Sequence, residues 1–110
     1  MDELEKAYQI LLDYEKEVKE FLLYVCGYHP NIEKDNWTSK CNEQLDNLRK
    51  KRDYSYNIFM ITSSLYSKQL TTNEKQLVDH YNDNAISISR NISCWFNSVN
   101  TILKQYPQQQ

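Results

Sequence analysis

The chain has 110 residues, 40% of them hydrophobic and 13% aromatic, with one glycine, two prolines and a net charge of −2. That length holds one domain with a modest core, and the aromatic content excludes a disordered chain. So little Gly and Pro excludes a sheet protein with a turn at every corner, and the slightly negative charge argues against a general affinity for nucleic acid or anionic membrane.

The sequence predicts three long helices. In the first, Leu4, Leu11, Val18 and Val25 form one column at heptad spacing, and Ala7, Tyr14, Phe21 and Tyr28 form the other. Asp2 with Glu5 makes a cap-like start, and residues 1–25 hold seven acids against three lysines. Gly27 falls where a left-handed residue closes a helix, with Pro30 just behind it.

The middle segment, residues 37–69, is less regular. Cys41, Leu45 and Leu48 begin an apolar stripe, and Ile58, Ile61 and Leu65 resume one. Between them "RKKRD" (49–53) supplies no apolar residue, so the segment reads as one helix with a displaced stripe, kinked or unkinked, or as two shorter helices.

The third helix has the strongest pattern. Val78, Tyr81, Ala85, Ile88, Ile92, Trp95, Val99, Ile102 and Tyr106 follow 3-4 spacing without a break, and Phe96 and Leu103 widen the stripe towards the C-terminus. Thr71 stands three residues before Glu74, the spacing of a capping box. Pro107 ends the helix, and residues 107–110 read as a frayed polar tail.

Short connections at 27–36 and 69–72 make neighbouring helices antiparallel. The expected fold is therefore all-α, an elongated antiparallel three-helix bundle with coiled-coil-like heptad seams over residues 1–106. A middle helix split near 49–53 would make four helices. Helices of about 33 residues run about 50 Å, so the core is thin and a second surface is expected to cover part of it.

Few groups suggest chemistry. Cys26-Gly-Tyr-His29 with Cys41 offers three metal ligands where a closed zinc site needs four. Cys26 and Cys41 flank the first connection, yet three cysteines without C-x-x-C fit free thiols in a reducing, cytoplasmic compartment. His80 lies beside Asp79 and Asp83 but has no nucleophile at a fixed spacing, and no Gly-rich phosphate loop is present. No enzyme, cofactor or metal is expected. The start "MDELEK" has no apolar run behind it, so no signal peptide is expected, and "FLLYVCGY" (21–28) is far short of a membrane span.

The candidate binding features are three. Arg49, Lys50, Lys51 and Arg52, with Tyr54 and Tyr56 beside them, read either as a basic patch or as charge matched to Asp13, Glu15 and Glu17 of the first helix. From Asn82 to Thr101 the off-seam positions are mostly Asn and Ser, with Asp83 and Arg90 the only charges. Such a face costs little to desolvate, as interface cores do, although A+T-rich coding, common in viral and phage genes, gives the same composition. Ile88 and Ile92 lie opposite the apolar-free "RKKRD" and need cover from Leu11 and Tyr14 or from another chain. Trp37 is an anchor or an end plug.

The expected function is a non-enzymatic protein–protein interaction module: a small adaptor, chaperone-like subunit or inhibitor whose partner is another protein or a second copy. The alternative is a nucleic-acid-associated factor using residues 49–52 with the neighbouring tyrosines.

Overall fold

The computed structural model describes residues 2–32, 36–66 and 70–106. They form α1 (Asp2–Val25), α2 (Trp37–Leu65) and α3 (Thr72–Lys104) and no strand, an all-α three-helix bundle measuring 58 × 17 × 17 Å. The proposed tail at 107–110 lies outside the described residues.

The first helix is the keel. Leu4, Ala7, Leu11, Tyr14, Val18, Phe21 and Val25 are all buried at 3-4 spacing, as both predicted columns require. Burial of each large side chain contributes roughly 2 kcal/mol. Tyr28, assigned to the same stripe, lies past the helix end and is 89% exposed. Tyr14 is the one polar group buried deep in this helix. Its hydroxyl donates to the Leu48 carbonyl oxygen at 2.6 Å, so it enters the core with its hydrogen bond satisfied.

Gly27 does not take the left-handed conformation expected of it. The helix instead closes by tightening: the Gly27 amide donates to the Tyr24 carbonyl at 3.1 Å, and His29 Nε2 donates to the same oxygen at 2.7 Å. Glycine suits the site, because a Cβ would sit a tight 3.2 Å from that carbonyl oxygen. The left-handed residue is Asn36 (φ 53°), before α2, a residue type that tolerates the conformation.

The middle segment is one continuous helix, so neither two helices nor a displaced stripe describes it. The buried positions run Cys41, Leu45, Leu48, then Ser55, Phe59 and Ser63, with half-buried Arg52 between Leu48 and Ser55. The 3-4 spacing is kept and polar residues occupy it. The buried stripe keeps its face along α2, so Ile61 and Leu65, expected inside, point to solvent at 63% and 73% exposure, and Ile58 is half-buried.

In α3, Val78, Ala85, Ile88, Ile92, Phe96, Val99 and Leu103 are buried. Trp95 and Ile102 of the predicted seam are half-buried, because a straight helix drifts about 20° per heptad and brings the next residue round, and Tyr106 lies past the helix end and is exposed. The capping box is present: the Glu74 amide donates to Thr71 Oγ1, and the Thr71 amide and hydroxyl donate to Glu74. Those hydrogen bonds hold the Glu74 carboxyl below its ordinary pKa.

Candidate functional site

The two interfaces of α1 are tight, whereas α2 and α3 touch each other far less than either touches α1. Along this open seam run two adjoining depressions. One, of about 280 Å³, is lined by Tyr56, Phe59, Met60, Asn82, Ala85, Ile86 and Ser89. The other, of about 550 Å³, continues past Met60 and Asn82 to Ser63, Ser64, Leu70, Lys75, Val78 and Asp79. Met60 on one lip and Ile86 on the other are more than half exposed.

The polar residues of α3 have work to do in this seam. Asn82 accepts from the Ser63 hydroxyl at 3.1 Å, and the Ala85 carbonyl accepts from the Tyr56 hydroxyl at 3.1 Å. Arg52 Nη2 donates to Ser93 Oγ at 3.0 Å, to Ser89 Oγ at 3.1 Å and to the Ser89 carbonyl at 3.5 Å. The serines of α3 are therefore the acceptors for an arginine standing in the seam of α2. Asn82, Ile86, Ser89 and Ser93 recur at 3-4 spacing, so they share one strip of α3.

The four basic residues part company. Lys51 pairs with Glu17 of α1 at 2.5 Å, close to the predicted match between these helices. Arg49 meets Asp46 at 3.6 Å, one turn back on its own helix, rather than the Asp46–Lys50 pair that the spacing suggests. Arg49 and Arg52 each hold their guanidinium carbon 6.0 Å from the Phe96 ring centre. Lys50 is exposed, as is Tyr54 on the outer surface, while Tyr56 is half-buried under Arg52. Burial is the first cause that raises the Tyr56 pKa.

Ile88 and Ile92 are 5% and 0% exposed within the single chain, so they belong to its own core and need no second chain to cover them. Trp37 is also buried, tilted against His29 at 4.5 Å between ring centres and edge-on to Tyr106 at 5.6 Å, which closes that end of the bundle. The residues on the groove that sequence reasoning passed over are Met60 and Ile86. Their signal was being apolar while off the stripe.

Cys26 is exposed, Cys41 is buried, and both are free thiols. Burial raises the Cys41 pKa. Among the described residues no group of three His, Cys, Asp or Glu side chains could hold a metal ion, and no helix is long and apolar enough to cross a membrane. His80 is exposed and accepts from Asn84 Nδ2 at 3.2 Å. Comparison with protein-family models, curated proteins and solved structures finds no match.

Proposed function

We propose that this chain is a non-enzymatic binding module that receives an amphipathic helix of another protein in the α2/α3 groove, completing a four-helix arrangement. One observation carries the reading: Met60 and Ile86 face solvent on opposite lips of a depression floored by Phe59 and Ala85. On α3 the lining of the two depressions runs from Lys75 to Ser89, about 21 Å of helix and the length of a four-turn helix. Apolar anchors at i, i+3/i+4 and i+7 on such a helix suit a groove of this kind.

The composition of the walls supports the same occupant. Asn82, Ser63 and Ser89 are neutral and cost less to strip of water than Lys or Glu. Charge favours a protein over a nucleic acid. Lys51 is engaged by Glu17 and Arg49 by Asp46, so the basic run does not form one continuous cationic strip for a phosphate backbone.

The test is selection of helical peptides from a displayed library against the whole chain, with each binder then measured on Met60→Asp and Ile86→Asp chains. Binders that both substitutions weaken at least tenfold are expected. Binders indifferent to both, or none sensitive to either, overturn the proposal.

A further inference from the structure

Resting on that reading of the groove, we infer that its Arg49–Arg52 end is a receptor for a carboxylate side chain carried on the flank of the incoming helix. Arg52 is a half-buried residue, and among the described residues its guanidinium has no carboxylate partner. All three of its hydrogen bonds leave from Nη2, to two serine hydroxyls and a backbone carbonyl. Neutral acceptors fix the orientation of the fork without neutralising it. Its Nε and Nη1 groups have no acceptor among the described residues, and each is free to donate a single charge-assisted bond to a carboxylate, while the serines hold Nη2.

Arg49 adds a second cation at the same ring. Both guanidinium carbons lie 6.0 Å from the centre of Phe96, one helical turn apart, so the two charges share an apolar support. Low polarity beneath them strengthens attraction to an incoming anion and makes the unanswered charge costly. Ser89 links this end to the depression between Met60 and Ile86, since it lines that depression and accepts from Arg52. A helix seated on the apolar lips therefore brings its flank to the arginines.

The contacts favour a monoanion. Asp46 touches Arg49 and no carboxylate among the described residues touches Arg52, so one incoming carboxylate gives each arginine one acid, whereas a dianionic phosphate would also face Asp46.

The test uses binders from the library. Asp or Glu is expected at one fixed spacing from the apolar anchors, and changing it to Gln in the peptide should weaken binding to the unaltered chain about tenfold, the worth of a charge-assisted hydrogen bond. On Arg52→Gln the same peptide change should matter less than twofold, and selection against Arg52→Glu should enrich Lys or Arg at that spacing. Binders lost on Ile86→Asp but lacking any acid preference overturn the receptor and leave the groove standing. Binders indifferent to Ile86→Asp overturn the groove, and the receptor with it. A phosphoserine peptide that binds more tightly than its Glu counterpart overturns the assignment to a carboxylate.

Discussion

Arg52 of α2 reaches Ser93 of α3 across the open seam, Nη2 to Oγ at 3.0 Å, and the two residues meet as a cation and a neutral hydroxyl. A charge held this way is oriented more than it is stabilised, because half-buried Arg52 has no counter-ion among the described residues. Its guanidinium carbon lies 6.0 Å from the ring centres of Tyr56 and Phe96, and an arginine stem in such a place covers apolar surface.

Arg52→Met keeps the stem and removes the charge. Its urea midpoint should correspond to a stability within about 1 kcal/mol of the parent, whereas Arg52→Ala should lose about 1–2 kcal/mol more through lost packing. A loss above about 3 kcal/mol for Arg52→Met would make the arginine a structural residue of the bundle.

Ser55 is fully buried at the middle of α2, and its hydroxyl has no partner among the described residues. Removing an unsatisfied hydroxyl and gaining helix propensity act in the same direction. Ser55→Ala should therefore raise stability by about 1 kcal/mol, read as a higher urea midpoint at an unchanged slope.

Burial, the largest influence on Tyr14, raises its pKa well above the ordinary value, with the nearby Arg52 pulling the other way. The sign follows from linkage: the folded state keeps a proton that the unfolded state releases near pH 10. The contribution of Tyr14 is therefore complete below about pH 10 and declines as pH rises beyond it. Tyr14→Phe should cost about 1 kcal/mol at neutral pH through the lost bond to Leu48, and its stability should fall less steeply than that of the parent above pH 10. Parallel alkaline limbs would contradict the assignment.

Trp37 closes its end of the bundle by ring contact, and its indole nitrogen has no acceptor among the described residues. Trp37→Phe should thus change stability by less than about 1 kcal/mol, while Trp37→Ala should cost about 3 kcal/mol. Equal losses in thermal unfolding would mean that the indole N–H, rather than the ring, does the work.

Much of the fold was legible because α1 and α3 are written in unbroken apolar periodicity, and Thr71 with Glu74 signals the start of α3 locally. The middle segment reads as one helix, which it is, but its buried face was not legible, for a physical reason. Arg52, Ser55 and Ser63 hold core-facing positions that hydropathy assigns to the surface, while Ile61 and Leu65 are apolar and exposed. Gly27 misled because closing a helix by a tight turn and closing it in the left-handed region call for the same residue. The arginines were found by their charge, but Ser89 and Ser93 became meaningful only once the bundle set them opposite Arg52. The groove was hidden because it depends on how far two helices part, which neither helix encodes alone.

The central claim is that the three helices close their own core and leave the α2/α3 groove open for a helix of another protein. Light scattering of the native chain over a wide concentration range tests it without a partner in hand. A mass of 13.2 kDa at every concentration, the same for Ile86→Asp, is the predicted result. A dimer that Ile86→Asp dissociates would contradict the claim, since a second copy would then be filling the groove.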